Sequence, residues 1–342
     1  MKSILSILVA LILFSAHVSC EDSPSSAEEP EVSNAETIVG LYGALAVSGK
    51  NIVNQSGEIV ELRGMSLFWS QWGGNYYTRE TVKWLRDDWN CTIVRAAIGV
   101  EGGGYLENKT AELQKLYTVI DACIEFGIYV IVDWHDHHGE SHLSEAKEFF
   151  GTISQKYGAQ PNIIYEIYNE PLNVSWVNVL KPYSEAVITE IRKNDPDNLI
   201  IVGTPNWSQD VESVIGNRLE DPNVLYSFHF YSSTHTDALR NKARLAFAAN
   251  IPLFVSEWGL SEASGTGEIK ITESNEWVEF LEENRLSWCN WSIINKDETS
   301  ASLKPSTDSV SEWAVEELSQ SGNMIRDYLI LKNGPVFENL KN

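Results

Sequence analysis

The sequence is short of positive charge: Lys and Arg number 25 against 48 Asp and Glu, a formal net charge of −23. A chain that acidic repels phosphate backbones and anionic headgroups, so nucleic acid and membrane surfaces are excluded as natural partners. Cysteine is scarce too, with four residues, Cys20, Cys91, Cys123 and Cys289, and no CxxC spacing. Setting Cys20 aside in the N-terminal segment leaves an odd three, which supports neither a disulfide framework nor a zinc site. No GxGxxG or GxxxxGK[ST] follows an apolar run, so a nucleotide site has no support. The N-terminal apolar run, Ile4–Phe14, is too short to span a bilayer.

That run has the length of a signal h-region, with Lys2 before it and small residues after it, so residues 1–20 read as an export signal. Val18-Ser19-Cys20 reads either as a simple cleavage site or as an imperfect lipobox that would anchor lipid at Cys20. Residues 21–38 are rich in Ser, Pro and Glu and read as a disordered tether. No second low-complexity stretch follows, so residues 39–336 are expected to form one catalytic domain with no appended binding module.

Within it, Tyr42–Leu62 has the pattern of a β-hairpin. Apolar runs then recur at Val60–Met65, Ile93–Ile98, Ile128–Trp134, Ile163–Tyr168, Leu199–Val202, Val224–Phe230, Leu253–Val255 and Leu286–Trp291. Helical-length stretches separate them: Thr78–Asp88, Ala111–Phe126, Ser144–Tyr157, Val177–Lys193, Gln209–Ile215, Thr236–Ala249 and Thr272–Asn284, with Gly322–Leu331 last. Continuous apolar strands alternating with helices indicate parallel strands covered by helices. The expected fold is α/β, a (β/α)₈ TIM barrel with an N-terminal β-hairpin. A doubly wound open sheet is the alternative.

In such a barrel the chemistry sits at the C-terminal ends of the strands. Polar and aromatic side chains collect there: Arg95, Asp133-Trp134-His135, Asn169-Glu170-Pro171, His229-Phe230-Tyr231, Ser256-Glu257-Trp258 and Asn290-Trp291-Ser292. Glu170 and Glu257 end the fourth and seventh runs. Two carboxyl groups are what glycoside hydrolysis needs, one to protonate the leaving oxygen and one to attack or to activate water. A random Glu is more often a solvated loop acid; the buried strand before Asn169-Glu170-Pro171 argues otherwise.

Taken with Leu62-Arg63-Gly64-Met65-Ser66, Val94-Arg95-Ala96-Ala97, Trp207-Ser208-Gln209-Asp210-Val211 and Phe228-His229-Phe230-Tyr231, these motifs stand in order from about Leu41 to the C-terminus. The sequence resembles glycoside hydrolase family 5, in the branch of bacterial and nematode endo-β-1,4-glucanases. The resemblance implies a retaining mechanism, with Glu170 as acid/base and Glu257 as nucleophile. Arg95 and Tyr231 would hold Glu257 ionised, and Asn169 would contact the sugar 2-hydroxyl. His135 and His229 would line the catalytic subsite and Trp291 would floor it. Trp72, Trp207, Lys296 and Glu298 would contact sugars further along the cleft. Two positions depart from the pattern. Leu67-Phe68-Trp69 stands where many members carry His, and Gly99 where some carry Tyr.

His135, His137, His138 and His142 with Asp133 and Asp136 invite a metal reading, but their spacing is not that of the HxHxDH metallo-hydrolases. No metal and no cofactor is expected in catalysis. The expected protein is thus a secreted, monomeric endo-glucanase acting on β-glucan polysaccharide or oligosaccharide. Hydrolysis of mannan, xyloglucan or mixed-linkage glucan, a non-catalytic carbohydrate-binding barrel and a metal-dependent hydrolase are its rivals. Mass spectrometry of the mature chain decides between the two N-terminal readings: an unmodified Glu21 at the terminus excludes the lipid anchor.

Overall fold

β-Branched runs become strands where both faces are covered, and here they close on themselves. In the computed structural model, residues 36–340 are described. The expected export signal, the Cys20 anchor and nearly all of the expected tether lie outside them. A short helix α1 (Ile38–Tyr42) comes first, with the Thr37 hydroxyl accepting from the Gly40 N–H. The expected hairpin follows as β1 (Ala46–Ser48) and β2 (Asn51–Val53), paired antiparallel.

The barrel strands are β3 (Arg63–Leu67), β4 (Ile93–Gly99), β5 (Tyr129–His135), β6 (Ile163–Glu166), β7 (Ile200–Val202), β8 (Val224–Ser227), β9 (Phe230–Tyr231), β10 (Leu253–Gly259) and β11 (Trp288–Ile293). All their pairings are parallel, and β11 pairs with both β10 and β3, which closes the ring. β8 and β9 both pair with β10, so they are two pieces of one barrel strand interrupted at Phe228-His229. The fold is therefore the eight-stranded (β/α) barrel.

Around it lie α2 (Ser70–Gly73), α3 (Arg79–Asp87), α4 (Tyr105–Phe126), α5 (Leu143–Tyr157), α6 (Lys181–Ile191), the short turn α7 (Pro205–Ser208), α8 (Asp237–Ala248), α9 (Ile271–Glu283) and α10 (Gln320–Asn339). Their ends follow ordinary capping chemistry. The Thr78 hydroxyl accepts from the Thr81 N–H at the start of α3, and Gly127 takes the left-handed conformation that ends α4. Among the described residues, no helix is long and apolar enough to cross a membrane.

Two expectations need correction. The first barrel strand begins at Arg63, not Val60, because Val60 donates its N–H to Ile52 and extends the hairpin instead. Gln209–Ile215 forms only a 3₁₀ turn at Val211–Val214; the chain before it bends sharply to present Trp207.

β10 carries one extra residue. Val255 to Trp258 spans three steps on β10 against two on β11, from Trp288 to Asn290. Such a bulge bends a strand and re-aims its side chains. Regular strands turn adjacent side chains to opposite faces. Here Ser256 reaches Glu166 and Glu257 reaches Arg95, and those two partners are bonded to each other.

Close approach of β3 to β4 requires glycine at Gly64, where an added Cβ would stand 1.8 Å from the Ile93 carbonyl oxygen. Gly64→Ala should destabilise the barrel by about 3 kcal/mol or more, since neighbouring backbone must move. A urea-unfolding midpoint equal to that of the wild type would contradict this.

Candidate active site

Strand ends deliver the candidate residues to one rim. Arg95 on β4 is fully buried, and its guanidinium is the centre of the site. Nε donates to Glu166 (2.6 Å), Nη1 to Glu257 (3.1 Å), and Nη2 to Asn169 Oδ1 (2.6 Å). Nη2 also lies 2.9 Å from Asp133. Burial alone would lower the Arg95 pKa, but the charges of Asp133, Glu166 and Glu257 hold it well above the ordinary value.

A second cation stands on the other side of Glu166. His229 Nδ1 lies 3.0 Å from Glu170 Oε1, and its Nε2 contacts Ser227 Oγ (2.8 Å) and Ser256 Oγ (2.9 Å). Burial would lower its pKa, yet the carboxylates of Glu166, 3.6 Å from its Nε2, and of Glu170 raise it to about 9. Glu166 shows the converse. Burial would raise it, but Arg95 and His229 bring it down to about 2. Asp133 is pushed well up, because burial and the neighbouring carboxylates outweigh Arg95. His135 donates to or accepts from Asp133 at 2.6 Å, and burial together with Arg95 keeps its ring neutral.

Glu257 accepts from Arg95 and from the Tyr231 hydroxyl (2.8 Å). Its pKa is nonetheless raised, first by burial and then by the charge of Glu170. Arg95, His229 and the Tyr231 hydroxyl pull it the other way. A carboxylate oxygen of Glu170, one of Glu257 and a His229 nitrogen all lie within 4.8 Å of one another. Asn169 offers its carbonyl to Arg95, and its Nδ2 is buried without a protein partner.

The cleft runs to both sides of this pair. On one side a cavity of about 420 Å³ is lined by Trp207, Gln209, His229 and His235 together with Glu170 and Glu257. On the other, a cavity of about 260 Å³ is lined by Trp69, Trp72, Trp291, Lys296 and Glu298 with the same two glutamates. Trp72 and Trp207 are 61% and 43% exposed, unusual for indoles that serve a core. Trp291 is buried and lies parallel to His135, with ring centroids 5.1 Å apart. Lys296 Nζ bonds Glu298 at 2.6 Å. Thus Glu170, Glu257, Arg95, His135, Asn169, His229 and Tyr231 form one cluster, Trp72, Trp291, Lys296 and Glu298 flank it, and Trp207 stands opposite.

The exposed Trp207 is held by unusual backbone. Asn206, Trp207 and Ser208 have φ of 60°, 56° and 54°, three left-handed residues in succession. Each such residue is strained by roughly 1–2 kcal/mol. Hydrogen bonds hold them: Trp207 N–H to the Pro171 carbonyl (2.8 Å) and Ser208 Oγ to the Asn169 carbonyl (2.7 Å).

The two departures from the family pattern find partners. At Gly99 an added Cβ would stand 1.8 Å from Gln71 Oε1, so the Gln71 side chain occupies that space. Trp69 sets its edge against His135, centroids 4.0 Å apart, and Phe68 packs on Trp291. Sequence reasoning missed Glu166, Ser227, Ser256, Trp69 and His235. An acid inside the apolar run Ile163–Tyr168 was the available signal for Glu166.

Comparison with known proteins places this arrangement. The Cellulase (glycosyl hydrolase family 5) model matches residues 53–297. Endoglucanase A of Evansella cellulosilytica is 47% identical over 276 residues, covering 79% of this chain. The chain spans only 56% of that relative's length. A solved structure from Cytophaga hutchinsonii is 50% identical with a TM-score of 0.87, covering 88% of this chain and 99% of its own. The catalytic domain of Thermobifida fusca endoglucanase Cel5A, solved as a variant with cellotetraose, is 33% identical with a TM-score of 0.82. That match covers 86% of this chain and 99% of the other. With the barrel, the paired glutamates and the matched region in agreement, the chain belongs to glycosyl hydrolase family 5.

Proposed function

We propose that this protein hydrolyses internal β-1,4-glucosidic bonds of cellulose or soluble β-glucan, with retention of configuration. The observation that carries the reading is the spacing of Glu170 and Glu257, whose nearest oxygens lie within 4.8 Å. Double displacement needs carboxyl groups about 5–5.5 Å apart, whereas inversion needs about 6.5–9.5 Å to admit a water. The names of the relatives and the cellotetraose bound to one of them support a β-1,4-glucan as substrate.

The chemistry follows from the neighbours. Glu257, ionised, attacks the anomeric carbon from its position between Arg95 and Tyr231. Glu170 gives its proton to the departing glycosidic oxygen, and a covalent glycosyl ester forms on Glu257. Glu170 then takes a proton from water, which attacks the anomeric carbon, breaks its bond to the Glu257 oxygen and frees Glu257. Asn169 Nδ2 donates to the sugar 2-hydroxyl, where bonds strengthen in the transition state. The sequence balances without metal or cofactor. Trp72 and Trp291 stack against sugars on one side, Lys296 and Glu298 bond their hydroxyls, and Trp207 stacks with the leaving portion. The protein works as a monomer outside the cell, exported by residues 1–20 and either freed or held by lipid at Cys20.

Double displacement needs Glu170 to deliver the proton and Glu257, which faces two donors, to attack as the carboxylate. Glu170→Gln should lower kcat by about 10²–10⁴-fold on unactivated β-glucan. Glu257→Gln should abolish turnover while leaving cello-oligosaccharide binding intact. NMR of products from a defined cello-oligosaccharide should show the β-anomer first. An α-anomer would break the mechanism, and activity confined to mannan in a polysaccharide panel would reassign the substrate.

His229 is cationic up to about pH 9. Because its folded pKa is raised above the usual ~6.5, its stabilising contribution is complete below about 6.5 and is lost as pH rises through about 9. Glu166→Gln removes a carboxylate charge that raises His229, so the alkaline limb of kcat/KM and the alkaline loss of stability should both move to lower pH. An unmoved limb would show that His229 charge does not govern it.

A further inference from the structure

The loop after β5 carries a histidine that the proposed mechanism leaves idle. His137 Nδ1 lies 3.2 Å from the Glu170 carbonyl oxygen and 3.8 Å from Glu170 Oε2. A carbonyl oxygen can only accept, so the ring proton stands on Nδ1 and is donated to the Glu170 peptide. The carboxylate oxygen, at 3.8 Å, is out of hydrogen-bond reach.

The residue is held on two further sides. The Tyr168 hydroxyl donates to the His137 carbonyl oxygen (3.0 Å), and Trp69 lies against the imidazole with ring centroids 5.6 Å apart. The other ring nitrogen, Nε2, has no hydrogen-bond partner among the described residues and is not sealed from solvent; the side chain is 32% exposed. His137 lines the cavity of about 260 Å³ that Trp69, Trp72, Lys296 and Glu298 also line, on the side away from the leaving portion. The open edge of the ring therefore borders the space where sugar is to lie.

We propose that His137 is a substrate-binding residue whose Nε2 accepts a hydrogen bond from a hydroxyl of the glucan chain on that side. With Nδ1 committed as donor, the neutral ring offers only a lone pair at Nε2. It welcomes an O–H and disfavours a carboxylate, which suits a neutral sugar and not a uronate. The same ring holds the Glu170 peptide through Nδ1, so substrate and acid meet on the two nitrogens of one rigid group. The inference rests on the glucanase reading, from which the hydroxyl-bearing ligand is taken.

Two substitutions separate the two nitrogens. In His137→Asn the side-chain amide stands in for Nδ1 and keeps the bond to Glu170, while nothing reaches the place of Nε2. In His137→Gln the amide reaches the place of Nε2, while the Nδ1 donor is lost. Each is combined with Glu257→Gln, which prevents turnover, and cellotetraose is titrated by calorimetry. Loss of one neutral hydrogen bond should raise Kd by about 3–10-fold in His137→Asn relative to Glu257→Gln by itself. His137→Gln should stay within about twofold of it. With Glu257 restored, His137→Gln should lose kcat on cellotetraose and keep its KM, because the brace on Glu170 is gone. A ring that only braces Glu170 predicts the reverse order of affinities. The inference falls if His137→Asn binds cellotetraose as tightly as its parent, or if both variants weaken binding equally. Should His137→Asn fail to fold, His137→Gln decides: a Kd raised by roughly threefold or more overturns the assignment. Failure of the glucanase reading looks different, since Glu257→Gln itself would then bind mannotetraose and not cellotetraose.

Discussion

A guanidinium sealed inside the barrel among acids sets the terms for everything around it. Arg95 is out of reach of solvent, yet Asp133, Glu166 and Glu257 all bear on it. Moving such charges out of water is expensive, and their mutual attraction offsets that only when the geometry is good and remaining donors are used. Here each nitrogen of the fork is engaged, with Ser66 and Asn169 as further partners. One cation still cannot balance three carboxylates. His229, whose pKa is raised to about 9, supplies a second cation, and burial pushes the Asp133 carboxyl upward. What remains is a site with little charge to spare, so a proton added to one glutamate is felt by the other.

The barrel delivers these groups by departing from regularity where it matters. The extra residue in β10 lets Ser256 and Glu257 serve one network, and the interruption between β8 and β9 frees Phe228-His229 from the ladder. His229 thereby reaches Ser227, Ser256 and Glu170 together. Bulges cost ladder hydrogen bonds, and they recur next to active sites because they re-aim a side chain.

Much of this was legible in the sequence. Apolar runs located all eight barrel strands, since parallel strands buried on both faces show no alternation to confuse them. Strand ends then singled out Glu170 and Glu257. The first strand was misplaced because Val60 and Leu62 are as apolar as a barrel strand, while Val60 bonds Ile52 of the hairpin. The helix expected at Gln209–Ile215 gave way to a tertiary demand, the presentation of Trp207. Glu166 escaped because its meaning lies in Arg95, 71 residues away. Local pattern cannot see such a pair. The same holds for His138 and His142, whose spacing excluded one kind of metal site. Both meet Glu101, which comes from a different loop.

The left-handed run at Asn206–Ser208 has a mechanical consequence. Its strain is held by hydrogen bonds to the carbonyls of Asn169 and Pro171, the residues on either side of Glu170. Trp207 and Glu170 are therefore braced by the same few peptide groups. Neither can drift without dragging the other. On the proposed mechanism, a sugar seated poorly on Trp207 would misalign the proton that Glu170 is to deliver.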